Sequence, residues 1–250
     1  MSADAMQSEL YQVFKTHMMK EEPQRVLFYG AGVKGAEQNR IMGQLLKGFF
    51  PMAQVEVQHD MLAAARSTGH REGIICILGT GSNSCWYKDG AICGNYGGLG
   101  YLLGDEGSGM DLGRYLLAGL LHNDFPDEVR QFVEEQEALS VEELKLAVYQ
   151  DDTPNVRLAR LAQHLEPFKH IPAVHDLLVD RFKAFLAASV TRYPGWEAKP
   201  LQFVGSVSYF YAEALIHACK EMGTQTPEIV RDPIEDLLQY HMEEYSDWEE

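Results

Sequence analysis

Four short stretches of this chain carry residues that could do chemistry, three of them setting glycines beside hydroxyl, amide or carboxylate side chains. The first is Ile77-Leu-Gly-Thr-Gly-Ser-Asn-Ser84. The apolar run Gly73–Leu78 reads as a strand buried on both faces, and it feeds a turn of Gly79, Thr80 and Gly81. Glycines let backbone N–H groups come close to a ligand, and with the Thr80 hydroxyl they suit phosphate oxygens. The same tripeptide also closes ordinary hairpins, so alone it leaves both readings open. The second stretch, Tyr96–Gly109, carries six glycines in fourteen residues. In a regular helix or strand each would cost roughly 0.5–1 kcal/mol relative to alanine, so the stretch is a loop, and a polar ligand pressed on backbone would explain it. Its carboxylates, Asp105 and Glu106, could accept sugar hydroxyls or position Mg2+, or could face the dipole of a helix starting near Ser108. The third, Phe203-Val-Gly-Ser-Val207, is a strand end, Gly205-Ser206 and a helix start, a geometry that can hold a nucleotide and also occurs widely without one. In the fourth, Val57-Gln-His-Asp60, Asp60 ends a short strand at the mouth of a helix, where a base and a helix cap are both open readings. His59 beside it reads as packing or surface.

The elements that must position these residues alternate. Ser2 to about Met19 reads as an amphipathic helix with Leu10, Val13, Phe14 and His17 on one face. Arg25–Tyr29 is a strand ending in the Gly30-Ala31-Gly32 turn. A helix follows over 35–48, a strand at Val55–Val57 and a helix from Met61 to Arg66. Trp86–Cys93 reads as a hairpin turning at Asp89-Gly90. From Met110 to about Tyr193 the pattern is helical. One stripe is Leu112, Tyr115, Leu116 and Leu120, and another is Val179, Phe182, Leu186 and Val190. Strand character returns at Leu201–Val204. One helix then carries Val207, Phe210, Tyr211, Ala214, Leu215 and Ala218 to Gly223, Ile229-Val230 is an edge strand, and Pro233 opens a last helix. The acidic tail from Glu243 to Glu250 is expected to fray.

Composition narrows the class. The chain has 250 residues, 46% of them hydrophobic, enough for one large core or two small ones. Its 21 basic against 37 acidic residues leave a net charge of −16, without the positive excess that nucleic-acid binding needs. Cys76, Cys85, Cys93 and Cys219 form no CxxC pair, so the expectation is buried, reduced thiols rather than a metal cage. No apolar run approaches the ~20 residues that span a bilayer, and the N-terminus lacks signal-peptide character. A cytoplasmic enzyme fits these features.

Taken in order, strand–Asp60, Gly-Thr-Gly-Ser-Asn83, Gly97-Gly-x-Gly leading to Gly104-Asp-Glu-Gly-Ser108, and Val204-Gly-Ser206 resemble the N-acetylglucosamine kinase branch of the actin, hexokinase and heat-shock-chaperone ATPase superfamily. The likeness spans about residues 25–240. It implies an α/β fold of two ribonuclease-H-like domains facing a cleft. The first would cover 1–95 and be incomplete at its N-terminus; the second would cover 96–250, with a helical insertion over about 110–193. It implies ATP with Mg2+ and an amino-sugar substrate, most simply N-acetylglucosamine, with no nucleic-acid or membrane partner and a homodimer left open. Residue by residue, Asp60 matches the catalytic base. Thr80, flanked by Gly79 and Gly81, matches a phosphate-loop position. Ser82, Asn83, Gly98, Leu99, Gly100 and Asp105 match sugar-binding positions, Ala31 and Gly32 fall at a turn against the sugar, and Gly205 and Ser206 match the adenosine side. No metal ligand carries over. Leu99 stands where some relatives carry tryptophan. Residues 1–30 show no counterpart of the family's DxGxT phosphate hairpin, so an upstream segment or a catalytically degenerate sugar- or nucleotide-binding homologue is expected. An ATPase activator of acyl-CoA dehydratases or reductases is a further alternative, but Cys85 and Cys93 do not match its cluster-binding arrangement.

Overall fold

Strands β1 (Arg25–Gly30) and β2 (Gln54–His59) pair in parallel, Val26 opposite Val55 and Phe28 opposite Val57. Parallel pairing needs a crossover, which helix α1 (Ala36–Phe49) supplies. Met42 and Leu46 on its inner face meet Val33 and Val57, with Val26, Phe28 and Val55 packed around them. These elements come from a computed structural model that describes residues 11–12, 23–31, 33 and 35–246. The helix expected over Ser2–Met19 lies outside the described residues except for Tyr11 and Gln12, which are helical, as does the tail end over 247–250. The chain divides into two compact units, Met1–Ala63 and Ala64–Glu250, and the division falls inside helix α2 (Asp60–Arg66).

The second unit is built on a five-stranded sheet. Its strands are β3 (Glu72–Leu78), β4 (Ser82–Lys88), β5 (Ala91–Asn95), β6 (Leu201–Val204) and β7 (Glu228–Val230), in the order β5-β4-β3-β6-β7. β3 to β5 form an antiparallel meander, while β6 and β7 add in parallel. The Asp89-Gly90 turn has both residues at positive φ, 47° and 86°, as a tight two-residue hairpin requires. β3 is central, which is why its sequence is a continuous apolar run rather than an alternating one. The likeness implies domains of 1–95 and 96–250, whereas the two compact units divide at 63/64. The reason is register: β3 lies against β6, Ile74 opposite Leu201 through Ile77 opposite Val204, so the first hairpin belongs to the later sheet.

Between β5 and β6 the chain is helical, as its periodicity indicates. The helices are α3 (Gly109–His122), α4 (Asp127–Glu137), α5 (Val141–Gln150), α6 (Pro154–Leu161), a 3-10 segment (Ala162–Phe168) and α7 (Pro172–Ala188). They bury Leu112, Leu116, Leu120, Val179, Phe182 and Leu186, with Val190 of the short 3-10 turn after α7, in one core with Ile74, Cys76 and Phe203 of the sheet. Tyr115 departs from its expected stripe. It is 38% exposed, with the Arg181 guanidinium 4.1 Å from its ring centre. The helix expected from Ser206 to Gly223 is two helices, α8 (Ser206–Phe210) and α9 (Ala212–Met222). The break is Tyr211, whose hydroxyl turns inward to donate to the Ala162 carbonyl at 2.5 Å. Helix α10 (Ile234–Ser246) follows Pro233. Three of the four cysteines are buried and free, but Cys93 is exposed because it lies on edge strand β5. Burial raises the Cys219 thiol to about 11, so it stays protonated at neutral pH.

Helices α3 and α6 touch backbone to backbone at Gly113. A β-carbon there would lie 1.8 Å from the Leu158 carbonyl oxygen, and backbone cannot yield as a side chain can. Gly113→Ala is therefore expected to destabilise the second unit by about 3 kcal/mol or more, at or beyond the upper end of ordinary overpacking. Thermal unfolding checks this: an unchanged melting temperature would mean that the two helices have slack to separate.

Candidate functional site

Gly79-Thr80-Gly81 is a hairpin turn, with Leu78 opposite Ser82 and the Gly79 N–H donating to the Gly81 carbonyl at 3.0 Å. It is more than an ordinary hairpin end, because the first turn of α3 is docked on it. The N–H of Gly109 donates to the Gly79 carbonyl at 2.8 Å, and that of Met110 to the Thr80 carbonyl at 3.1 Å. Two of the N–H groups that a helix start leaves without intrahelical partners are thereby satisfied. Ser108 caps the same helix, its side chain accepting from the Asp111 N–H. The positive end of the α3 dipole thus stands at the turn, while the Thr80 side chain remains exposed.

The glycine-rich loop is tied to the next residue of the hairpin by both of its limbs. The Gly98 N–H donates to the Ser82 carbonyl, and the Ser82 N–H donates to Asp105 Oδ1, each at 3.2 Å. Asp105 holds a left-handed backbone at φ 61°, sparsely populated for any residue with a side chain. A β-carbon on Gly81 would come within 2.9 Å of Asp105 Oδ2, so glycine is what lets the carboxylate lie against the turn. Asn83 is buried. Its Oδ1 accepts from the Ser84 N–H at 2.9 Å and from Asn95 Nδ2 at 3.0 Å, which directs its own amide NH2 elsewhere as a donor. Gly100 accepts from the Leu103 and Gly104 N–H groups, and Leu99 is 65% exposed at the tip.

The sequence left a helix-start role open for Asp105 and Glu106 beside ligand binding; in the structure Asp111 stands in the first turn of α3. It is fully buried and accepts from Gly107 N–H at 3.0 Å, Arg181 Nε at 2.8 Å and an Arg114 terminal nitrogen at 2.5 Å. The signal was present as an aspartate three residues after the capping Ser108.

A cavity of about 490 Å3 opens on the other side of the turn. Gly79, Thr80 and Gly109 line it, together with Ser206, Val207, Phe210 and Tyr211 and a wall of Val156, Ala159, Arg160, Gln163 and Glu166. Gly205 adopts φ 124°, and a β-carbon there would lie 2.4 Å from the Leu78 carbonyl oxygen, so the strand-to-helix turn closes directly over the end of β3. Of the expected residues, Gly79, Thr80 and Ser206 line the cavity. Gly98 and Asp105 are each hydrogen-bonded to Ser82, and Asn83 adjoins Ser82 in the chain. The helical wall was not legible in the sequence, since Arg160, Gln163 and Glu166 recur at an interval of three along a helix that any surface could carry.

In the first unit, Asp60 opens α2 with its side chain 35% exposed. Its Oδ1 accepts from the Met61 N–H at 2.8 Å and lies 2.7 Å from His59 Nδ1. The same Met61 N–H also donates to His59 Nδ1 at 3.1 Å, so the two side chains share one backbone donor. Ala31 is exposed in the turn after β1, and Gly32 lies outside the described residues.

No family model matches the chain. Among curated proteins, an N-acetylmuramic acid/N-acetylglucosamine kinase of Clostridium acetobutylicum is 34% identical over 94 residues; the match spans 37% of this chain and 31% of that protein. Among solved structures, a provisionally named N-acetylglucosamine kinase of Chromobacterium violaceum is 21% identical, covered to 85% of its length with a TM-score of 0.69, which speaks to the fold. Another from Porphyromonas gingivalis is 35% identical, with a TM-score of 0.89 over 96% of this chain and 86% of its own. The mixed α/β architecture is thus shared with these two structures, and the chain belongs to the N-acetylglucosamine kinase family.

Proposed function

We propose that this protein transfers the γ-phosphoryl group of ATP to a hydroxyl of N-acetylglucosamine or a close relative. The observation that carries this reading is that one hairpin borders both the cavity and the glycine-rich loop. Gly79 and Thr80 line the cavity, while Ser82, two residues on, holds both limbs of the glycine-rich loop. A nucleotide lying in the cavity with its phosphates toward Thr80 and the α3 N-terminus would end next to whatever the loop binds. Phosphoryl transfer depends almost wholly on such placement and on charge stabilisation.

The cavity fits the nucleotide. Its walls combine apolar Val156, Val207 and Phe210 with polar Arg160, Gln163 and Glu166, and its glycine turn and helix start supply donors for phosphate. Mg2+ commonly enters such sites on phosphate oxygens with one or two carboxylates, and Asp105, set against the glycine turn, is the carboxylate this loop would offer. The ion would neutralise charge developing on the transferred group.

On the sugar side, Asn83 would donate through its amide, Asp105 would accept from hydroxyls, and Gly98 and Gly100 would admit the ring close to backbone. Asp60, matched to the family's base, would take the hydroxyl proton as the sugar oxygen bonds to phosphorus and the bond to the ADP oxygen breaks. With its Oδ1 already accepting from the Met61 N–H, Oδ2 is the oxygen that would take that proton.

Two substitutions test the assignments, using coupled ADP release over a panel of N-acetylated amino sugars together with calorimetric sugar binding. Asp60→Asn is expected to lower turnover by about 10²–10⁴-fold while sugar affinity holds, the usual worth of a general base; a retained rate would leave Asp60 as a helix cap. Asp105→Asn keeps an acceptor for the Ser82 N–H and a side chain tolerant of the left-handed backbone, so it should cost less than about 1 kcal/mol of stability. Sugar affinity should still fall by about tenfold or more, since hydrogen bonds to a charged acceptor are the stronger kind. Equal affinity in both proteins would remove Asp105 from the sugar site.

A further inference from the structure

The glycine-rich loop is fastened at its start by a residue almost one hundred positions away. Tyr193, at the end of the helical region, is buried to 1% exposure, and its hydroxyl accepts from the Tyr96 N–H at 2.9 Å. The same hydroxyl lies 2.7 Å from Ser84 Oγ, and Ser84 Oγ donates to the Tyr96 carbonyl. Each hydroxyl has one proton, which fixes the directions. Ser84 gives its proton to Tyr96, so Tyr193 gives its own to Ser84, and Tyr96 returns a proton to Tyr193 through its N–H. The ring closes on both backbone groups of the first residue of the loop. The tyrosine rings also meet, with centroids 5.0 Å apart.

We infer that Tyr193 is a positioning residue for sugar binding, its hydroxyl clasping Tyr96 through Ser84 so that the loop starts in its ligand-binding course. The inference rests on the proposed sugar-kinase reading for the ligand, though not for the clasp. Three further features support it. Ser84 follows Asn83 directly, and Asn95, which precedes Tyr96, donates both to Asn83 Oδ1 at 3.0 Å and to the Ser84 carbonyl at 2.6 Å. The sugar-facing amide and the loop anchor therefore share one network. Beyond the clasp, Gly97, Gly98 and Gly100 all have positive φ and their backbone has little intrinsic preference, so the direction in which Tyr96 leaves β5 decides where they go. Burial also raises the Tyr193 phenol well above its ordinary range, which keeps it a proton donor at any working pH.

The test uses Tyr193→Phe, Ser84→Ala and the double variant. The ring stays in Tyr193→Phe, so the core should hold and the melting temperature should move little. Amide hydrogen exchange, read without any ligand, should rise in 96–104 and stay unchanged in β3 and α7. Calorimetry should show N-acetylglucosamine affinity falling about tenfold, as for the loss of a satisfied buried hydroxyl, while ATP affinity holds. Ser84→Ala should reproduce this, and the double variant should be little worse than either single one, since all three break the same ring. Unaltered exchange over 96–104 in Tyr193→Phe would overturn the clasp whether or not sugar binds. If the wild-type protein binds no amino sugar, the functional reading fails and the exchange result alone decides the clasp. If sugar and ATP affinities fall together with the melting temperature, Tyr193 is only part of the core.

Discussion

Helix α3 begins where the β3–β4 hairpin turns, and two backbone hydrogen bonds, from Gly109 to Gly79 and from Met110 to Thr80, make that coincidence a constraint. Much of the second unit follows from it. The turn cannot rotate without stripping the helix of its first two partners, so its exposed Thr80 side and its cavity face are fixed relative to the helical core. The glycine-rich loop is the chain between β5 and that same helix, which means its far end is set by α3 while its near end is set by Tyr193 and Ser84. Both ends being fixed, the loop has freedom only in its middle, where its tip is exposed.

This arrangement explains why so many glycines sit together. Between Tyr96 and Gly109 the chain must pass Ser82 twice, once to give the Gly98 N–H and once to bring Asp105 within reach of the Ser82 N–H. Such a path needs left-handed or crowded backbone at several points. Where glycine would have been easiest, at 105, the chain carries aspartate at φ 61° instead. Strain of this kind costs of order 1–3 kcal/mol and persists only when the surroundings fix it. Here the Ser82 N–H and the space left by Gly81 do so, and what the chain gains is a carboxylate held against the turn.

Elements whose period matched their burial were legible in the sequence. β3 read as a strand buried on both faces because it is central, and the stripes of α3 and α7 read as helix faces because they pack on the sheet. The glycine turn and the loop were legible as chemistry because no regular structure accommodates them. What was hidden depended on contacts distant in sequence. The pairing of β3 with β6, which puts the first hairpin in the later sheet, reaches across more than a hundred residues of chain. The break at Tyr211 depends on a carbonyl of the 3-10 segment. The cavity wall of Arg160, Gln163 and Glu166, and the clasp at Tyr193, are ordinary residues given meaning only by what folds opposite them.

Asp111 and Arg181 show the same logic in electrostatic form. In a chain of net charge −16, a fully buried carboxylate adds to an excess that already works against compaction. Replacing such an ion pair by apolar residues is often neutral or stabilising, so stability alone is a poor reason to bury one. Position is a better reason. Asp111 receives the Gly107 N–H from the loop, Arg114 from its own helix and Arg181 from α7, so three segments meet on one side chain. An apolar residue could fill the space, but it could not satisfy the Gly107 N–H or fix the distance between α7 and the loop. Tyr193 lies a few residues beyond the end of α7 and Arg181 lies within it, so the same region of the chain reaches the loop at both ends, once through a neutral hydroxyl and once through a buried charge. A loop made mostly of glycine is thereby held by side chains that are not its own.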